Sequence, residues 1–574
     1  MKRLLTILFL LITLTVRGTV YYIAPSTATP AGSNSNSGTI TSPWLTLNYA
    51  WSHSGHGVVG GDIIYMRGGT YTYAMMGQTT LSGIDGSIGN YIYVWNYPGE
   101  NPVIDFSDYP NTSGGNIIRI ENADYVYLNG IHCTNMSQPE SGAFTHVGIR
   151  VTKGVNHSII ERCEVDHIGG WGFTIMGGSD VSGEQCSNNL ILNCDSHHNS
   201  DPYSGDPYGG ADGFLSNCYA GTTYLSMNNT FRGCRAWWNS DDGWDLRTQD
   251  GSVIIDNCWS FWNGYIPGTF THAGNGEGFK LGTKLASPNT ADVRRTVTNC
   301  LAFENYLLGF HHFQTVGYYA FSSIVYNNTA YNNGDGGNFN FGTMTIAQDI
   351  LRNNLSYLER NYISNQTDDQ YNSWNTPPGV TVTSPDFVSL STTGVDGVRQ
   401  EDGSLPVLNF LKLQNSSDLV DAGINVGLPY NGSAPDLGAF ETGTKSPTVP
   451  LLTTTTITNI TSTTATSGGN VYDDGGETVT DRGICWSTSS NPVITDSHTH
   501  NGTGTGSYIS YLISLTDGFT YYVRAYATNS VGTGYGNQRS FVAGTPPPPP
   551  EGTLVSNESG TQFVKIGNVL IKIE

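Results

Sequence analysis

The chain has 574 residues, of which 71 are glycine and only 13% are charged. This length exceeds one ordinary domain, and the composition favours an all-β protein with many turns over a helical one. The formal net charge of -22 argues against nucleic acids and anionic membranes as partners. It does not exclude an acidic polymer as a substrate, because a bound divalent cation can reverse the local potential.

The first segment, residues 1–18, begins with basic residues and continues as an apolar run, MKRLLTILFLLITLTV. The run is too short to cross a bilayer comfortably and is typical of a secretory signal peptide. We therefore expect a secreted, extracellular protein with no membrane span in its mature form. An N-terminal membrane anchor is the alternative. We expect the mature protein to be a monomer.

Residues 19–440 contain an irregular repeat that becomes clear from about Asn116 onward. Each unit has an alternating apolar segment, an Asn-Cys or Asn-Asn pair and a polar turn, as in LILNCDSHHNS and VIIDNCWSFWNGY. Variable insertions on a constant coil are typical of solenoids. We predict a right-handed parallel β-helix whose first residues cap its open end. A β-propeller is the alternative, but the repeats lack two-residue hairpin turns.

Two residue types recur in phase with this repeat. Cysteine recurs at Cys163, Cys194, Cys234, Cys258 and Cys300. Although an exported protein with nine cysteines suggests disulfides, this phasing favours free thiols buried in the coil. Asparagine recurs one residue before the cysteine, or at the corresponding turn position where the cysteine is absent. Stacked amides can form hydrogen-bonded ladders. The candidates for such a ladder are Asn193, Asn257, Asn299 and Asn327.

The C-terminal third departs from the repeat. Residues 386–440 are expected to form an extension against the last turns of the coil. Residues 441–545 contain alternating strands at regular spacing, which predicts a small β-sandwich. This part resembles fibronectin type III-like modules, chiefly through YYVRAYATNSVGTGYGN, and the resemblance implies a spacer or adhesive role. Residues 546–574 are a Pro-rich linker and a short tail.

Three short segments in the middle of the chain share a glycine followed by an aromatic residue: GGADGFLSN, NSDDGWDLRT and GNGEGFKLG. Aligned on that pair, Asp212, Asp242 and Glu277 share one column, and Asp245 and Lys280 share another. Alternate residues of a strand face opposite ways, so the aromatic residues are expected inside and Asp245 and Lys280 outside. Stacked as successive rungs, these segments would bring the polar side chains together.

The carboxylates of these segments are hard oxygen donors, which calcium prefers. The expected ligands are Asp212, Asp241, Asp242 and Asp245, and Glu277 is expected to be a further ligand or to orient Lys280. A bound cation would relieve the mutual repulsion of these acids. The alternative is that the Asp-Gly pairs are ordinary turn residues on a solvated surface.

Lys280 is the candidate catalytic base. A divalent cation nearby disfavours the ammonium form, so we expect the pKa of Lys280 to be lowered. A lysine paired with a metal can remove a proton next to a carboxylate. The alternative is a lysine that only forms a salt bridge with Asp245 or Glu277.

The three segments, together with APDLGAF, resemble the motifs of the family nine polysaccharide lyases, the β-helical pectate lyases. The resemblance covers roughly residues 20–440 and implies calcium-dependent β-elimination on galacturonan, an acidic plant cell-wall polysaccharide. It places the four aspartates on the family's calcium ligands and Lys280 on its base. Arg247 and Lys284 follow the key strands and are expected to contact substrate carboxylates.

Three other functions are compatible with this pattern. A rhamnogalacturonan lyase would use the same chemistry on a related backbone. A polygalacturonase-like hydrolase would use Asp241 and Asp242 as acid and base, and its products would lack a new double bond. A non-catalytic, calcium-dependent glycan-binding or adhesive protein would show no turnover, whether or not Lys280 is present.

Overall fold

The computed structural model describes residues 18–52, 57–110, 113–138, 140, 145–177, 184–217, 226–246, 249, 251–282, 293–312, 321–342, 349–443 and 447–544, and three strands beyond them. The described residues up to Gly443 form one compact unit, and those that follow form a second. The predicted signal peptide lies outside the described residues except for Gly18. In the part of the chain that is described, no helix is both long and apolar enough to cross a bilayer.

The first unit is a parallel β-helix in which three long sheets, here named A, B and C, run the length of the coil. Sheet A has 12 strands: Val20–Ile23, Ile63–Met66, Ile92–Asn96, Val126–Asn129, Ile159–Glu161, Leu190–Leu192, Asn229–Arg232, Val253–Asp256, Val293–Thr298, Ser322–Tyr326, Ile350–Arg352 and Asp368–Asp369. Sheet B has 10: Thr79–Ser82, Asn116–Glu121, His146–Thr152, Gly170–Met176, Phe214–Asn217, Trp244–Asp245, Glu277–Lys280, Leu308–His311, Gly337–Phe341 and Asn361–Ile363. Sheet C has 10: Gly69–Thr72, Pro102–Asp105, His132–Thr134, Glu164–Asp166, Asp195–His197, Arg235–Trp237, Trp259–Phe261, Leu301–Phe303, Thr329–Tyr331 and Leu355–Tyr357.

The chain passes from sheet A to sheet C to sheet B in each turn of the coil. Inward-facing residues of the three sheets form one continuous apolar core. The cysteines that recur in phase are part of it, and the eight cysteines that the structure describes are all buried and free. The prediction of buried thiols is therefore confirmed for the five phased cysteines.

The asparagine ladders exist, but the continuous ones lie at other positions than predicted; at the predicted positions, Asn353 Nδ2 donates to Asn327 Oδ1 at 3.0 Å. Asn193, Asn257, Asn299 and Asn327 adopt φ values of 52–56° at the bend from sheet A to sheet C. Asparagine tolerates this left-handed conformation, which is why it recurs there. The continuous amide ladders use neighbouring positions, with Nδ2 to Oδ1 distances of 2.8–3.0 Å. They run through Asn199, Asn239, Asn263, Asn305, Asn333 and Asn338, and through Asn328, Asn354 and Asn372.

A short helix packs at the N-terminal end of the coil. The helix Leu47–Ser52 buries Leu47, Ala50 and Trp51 against the first turns. A second short helix, Tyr73–Met76, follows the first strand of sheet C. These residues shield the apolar interior that the first turn would otherwise expose to water.

The extension after the coil reaches further than predicted. It contains the 3-10 helix Ser384–Asp386 and packs apolar residues against the outer face of sheet C, including Trp237, Trp259 and Phe303. Arg399 contacts Asp195 at 2.6 Å, and Arg235 contacts the same carboxylate at 2.7 Å. The extension therefore lies along the middle turns as well as the last ones.

Arg399→Ala should lower the free energy of unfolding by about 2–3 kcal/mol, because it removes the charged hydrogen bonds of Arg399 and leaves the buried Asp195 carboxylate with one cation instead of two. Burial alone would raise the pKa of Asp195, but Arg399 and Arg235 hold that pKa well below its ordinary value. The matched control is Arg232→Ala, which removes an exposed ion pair with Asp256 (3.0 Å) and should cost at most about 1 kcal/mol. Urea unfolding measures both, and equal losses would contradict this role of Arg399.

The second unit is a small antiparallel β-sandwich. One sheet contains Leu451–Thr454, Ala465–Asp473 and Gly506–Leu512; the other contains Asp481–Ser487, Ser497–His498, Thr520–Thr528, Thr533–Tyr535 and Arg539–Val542. Val471, Ile484 and Val523 belong to the core between them. Three further strands, Leu554–Ser556, Gln562–Ile566 and Val569–Lys572, form a separate antiparallel sheet near the end of the chain.

Candidate active site

Three consecutive strands of sheet B build the candidate site. Their aromatic residues Phe214, Trp244 and Phe279 stack inside the coil, with ring centroids 4.6 and 4.7 Å apart. The register pairs Trp244 with Phe279 and Asp245 with Lys280. Alignment on the Gly-aromatic pair therefore gave the correct register, and Asp245 and Lys280 lie side by side.

The glycine before each aromatic residue is required by the close approach of the chain. A Cβ atom at Gly243 would lie 2.0 Å from Ser260 Oγ and 2.7 Å from the Gly278 carbonyl oxygen. Only glycine therefore fits at this position, directly after Asp242.

Asp212, Asp242 and Asp245 form a group in which one carboxylate oxygen from each lies within 4.8 Å of the others. Asp212 and Asp242 are buried, and Asp245 is half-buried. The Asp242 backbone N–H donates to Asp212 Oδ1 (3.2 Å), and the Glu277 N–H donates to Asp242 Oδ1 (2.8 Å). The structure thus holds three acids from two turns of the coil around one point.

Lys280 lies beside this group. Its Nζ donates to Asp242 Oδ2 at 2.6 Å and is 3.6 Å from Asp245 Oδ2. Burial of Lys280 favours the neutral amine, but the carboxylates of Asp242, Asp245, Glu277 and Asp241 outweigh burial and raise the pKa of Lys280 well above its ordinary value. These carboxylates alone raise the pKa, and its predicted lowering by a nearby divalent cation stays a prediction.

Asp241, the fourth predicted calcium ligand, is buried but is not one of the three acids grouped above. Its charge acts on Lys280 and on Asp242. Its Oδ1 accepts a hydrogen bond from the Asn275 N–H at 2.6 Å. Burial raises the pKa of Asp241 to about 7, although Lys280 opposes the shift. Burial and the neighbouring carboxylates, Asp241 first among them, raise the pKa of Asp242 well above its ordinary value. The same two causes raise the pKa of Asp212.

Two further residues of the candidate site, Asp201 and His311, were not predicted from the sequence. Asp201 is buried, one of its carboxylate oxygens has no hydrogen-bond partner, and its charge helps to raise the pKa of Asp241. His311 lies next to Lys280 in the register and its Nδ1 lies 2.8 Å from Glu277 Oε2. The signal for His311 was present, because Gly309-Phe310-His311 repeats the pattern of Gly278-Phe279-Lys280.

The other predicted site residues are placed as follows. Glu277 is buried and interacts with His311, and its charge acts on Lys280. This arrangement is compatible with orienting the lysine. Arg247 and Lys284 lie outside the described residues, so their expected contacts with substrate stay predictions.

The donor set fits a hard divalent cation. Four buried or half-buried carboxylates face one ammonium group, and burial together with neighbouring negative charge raises the pKa values of Asp212, Asp241 and Asp242. The partnerless oxygen of Asp201 adds a further acceptor at the edge of the cluster. Oxygen-only donors with irregular spacing suit calcium better than magnesium, which demands octahedral geometry.

Comparison with known proteins gives consistent matches. Residues 23–357 match the model of the Pel9A-like right-handed β-helix region. The chain is 33% identical over 433 residues to pectate lyase L of Dickeya chrysanthemi, which covers 74% of this chain and 90% of that protein. It is 29% identical over 409 residues to pectate lyase PEL9 of Emericella nidulans, covering 67% of this chain and 90% of that protein.

Two solved structures resemble the first unit. The crystal structure of pectate lyase Pel9A has a TM-score of 0.60 and 30% identity, covering 74% of this chain and 96% of that one. A structure titled rhamnogalacturonan lyase has a TM-score of 0.57 and 30% identity, covering 69% of this chain and 97% of that one. Each similarity covers nearly the whole length of the solved structure.

Proposed function

Because the chain belongs to the family of Pel9A-like right-handed β-helices, we propose that it cleaves galacturonan by calcium-dependent β-elimination. It is a polysaccharide lyase of the pectate lyase type. The observation that carries the proposal is the position of Lys280, whose Nζ lies 2.6 Å from Asp242 Oδ2 within a cluster of buried acids. An amine held against a carboxylate cluster on the outer face of a sheet suits proton removal next to a bound carboxylate.

Asp212, Asp241, Asp242 and Asp245 would hold the calcium ion. When bound, calcium would polarise the substrate carboxylate and acidify the proton on the adjacent carbon, C5. The carboxylates of Asp242, Asp245, Glu277 and Asp241 keep Lys280 protonated as long as their charge is uncompensated. Once that charge is neutralised, the burial of Lys280 favours its neutral amine, which is the form that accepts a proton.

In the proposed reaction the protein accepts one proton, at Lys280 Nζ. Lys280 Nζ takes the C5 proton of a galacturonate residue. The C5–H electron pair forms a double bond between C4 and C5, the C4–O glycosidic bond breaks, and the leaving oxygen takes a proton from water. The product carries an unsaturated uronate at its new non-reducing end. Glu277 and His311 would keep Lys280 aimed at the substrate, since they lie directly beside it.

Secretion and the role of the second unit are further parts of this proposal. The apolar segment in residues 1–18 supports export of the protein. A small β-sandwich after the catalytic unit suits a spacer or adhesive module of the fibronectin type III kind. Export agrees with the proposed substrate, because a plant cell-wall polysaccharide lies outside the cell that produces the enzyme.

Purified protein acting on polygalacturonate should release products that carry an ultraviolet-absorbing double bond. Removal of calcium with a chelator should reduce the rate at least about 100-fold, because the carboxylates then hold Lys280 in its protonated form. Re-addition of calcium should restore the rate, and magnesium at the same concentration should not. Saturated reducing ends formed at an undiminished rate in chelator would instead support hydrolysis by Asp241 and Asp242.

Rhamnogalacturonan cleavage is the second candidate, and the similarity to the structure titled rhamnogalacturonan lyase favours it. Both backbones present galacturonate to the base, so the same residues would act. Parallel assays on polygalacturonate and rhamnogalacturonan, compared by kcat/KM, distinguish the two substrates. Absence of turnover on both polymers would support a calcium-dependent glycan-binding protein.

A further inference from the structure

An open groove of about 640 Å³ lies in the first turns of the coil, at the bend between sheets A and C. Tyr65, Trp95 and Tyr127 form one wall, and Asn129, His132 and Arg162 are among its polar residues. None of the predicted calcium ligands lines the groove, and neither does Lys280. The groove is therefore distinct from the candidate active site, which lies on sheet B.

The aromatic wall is built by adjacent rungs of sheet A. The register pairs Tyr65 with Trp95, and Tyr93 with Tyr127. The ring centroids of Trp95 and Tyr127 are 5.4 Å apart, and those of Tyr65 and Trp95 are 6.4 Å apart. All these side chains are half-exposed on the outer face of the sheet. Their outward position leaves part of each ring in contact with solvent.

The aromatic residues of this column cluster at this end of the sheet, and the next aromatic residue in the column is Tyr326. Below Trp95, the same column continues through Asn129, Glu161, Leu192 and Arg232. The change from rings to amide and charged groups at Asn129 marks the edge of the aromatic wall and begins the polar wall of the groove.

The polar groups of the groove are balanced in charge. Arg162 Nε lies 3.6 Å from Glu161 Oε1, and Glu164 lines the same groove. His132 forms a close pair with Asp166. Asn129 Nδ2 donates to Glu161 Oε2 at 3.1 Å. The groove therefore offers amide and carboxylate groups for hydrogen bonds but no excess of positive charge that would attract a polyanion.

We propose that this groove binds a neutral oligosaccharide segment, as an accessory glycan site separate from the eliminating site. The apolar C–H faces of sugar rings pack on half-exposed aromatic rings, while hydroxyl groups pair with amides and carboxylates. An acidic sugar is disfavoured by Glu164 and by the net charge of -22. The site goes beyond the proposed lyase activity and would hold the enzyme on the neutral polysaccharides that surround an acidic substrate.

The test is affinity electrophoresis of the full chain in native gels containing β-1,4-galactan, arabinan or polygalacturonate, with chelator present. The variants are Tyr65→Ala, the double variant Tyr65→Ala with Trp95→Ala, and the control Tyr326→Ala. Tyr326 is a half-exposed tyrosine in the same column of sheet A, where it pairs with Thr298 far from the groove. Thermal unfolding of each variant accompanies the gels.

Retardation of the wild type by at least one neutral polysaccharide is expected, with little retardation by polygalacturonate. Tyr65→Ala should weaken it at least fivefold and the double variant should abolish it, whereas Tyr326→Ala should leave it unchanged. Lack of retardation in both neutral gels would overturn the proposal, as would equal losses in the Tyr65 and Tyr326 variants. Lyase turnover of Tyr65→Ala on soluble polygalacturonate should equal that of the wild type, so a failed binding test leaves the proposed activity unaffected.

Discussion

Replacement of Lys280 by alanine should lower turnover on polygalacturonate by about 10²- to 10⁴-fold, the range expected for loss of a positioned general base. The substitution removes the amine that lies 2.6 Å from Asp242 and 3.6 Å from Asp245. Since only the proton acceptor is lost, kcat should fall and KM should change little. Initial rates of double-bond formation at saturating calcium measure the effect.

Lys153→Ala is the matched control for this substitution. Lys153 directly follows another strand of sheet B and pairs with Glu121 at 3.2 Å, but its side chain is exposed. Its loss should leave turnover unchanged. Because only the neutral amine of Lys280 accepts a proton, and this form becomes more abundant as pH increases, wild-type turnover should increase into the alkaline range. A Lys280→Ala variant that keeps the wild-type rate and pH profile would rule out this base.

The register of the site was predictable because it depends on a local pattern. A glycine, an aromatic residue and alternating polar residues recur at Gly243-Trp244 and Gly278-Phe279, and a parallel stack can satisfy them in one register only. The buried cysteines were predictable for the same reason. The two-residue period of a strand then fixes which side chains face inward.

Features that depend on contacts between distant turns were not predictable. Arg399 meets Asp195 across 204 residues of sequence, and no local pattern indicates that the extension reaches this turn. The asparagine ladders were misplaced because a left-handed bend and an amide ladder both select asparagine, at adjacent positions. The pKa of Lys280 depends on the summed charge of four neighbours, which a sequence does not place in space.

Asp242→Asn should weaken calcium binding at least about 100-fold, because it removes one full charge from the centre of the donor set. Asp242 is buried, and its two oxygens accept hydrogen bonds from the Glu277 N–H and from Lys280 Nζ. An asparagine oxygen can replace one of these acceptors. Its NH₂ group then faces the lysine, and two donors cannot pair. Calorimetric titration with calcium measures the loss of affinity.

Calcium-dependent stability gives a second measure of the same substitution. At a calcium concentration of about 100 times the wild-type Kd, binding should stabilise the wild type by about 2.7 kcal/mol. If Kd increases 100-fold, the stabilisation at that concentration falls to about 0.4 kcal/mol. Asp335→Asn, at an exposed aspartate in the bend before the strand Gly337–Phe341, is the control and should respond to calcium like the wild type. An unchanged calcium response in Asp242→Asn would move the cation away from this carboxylate, and the pairing of Asp242 with Lys280 would then be a salt bridge without a role in elimination.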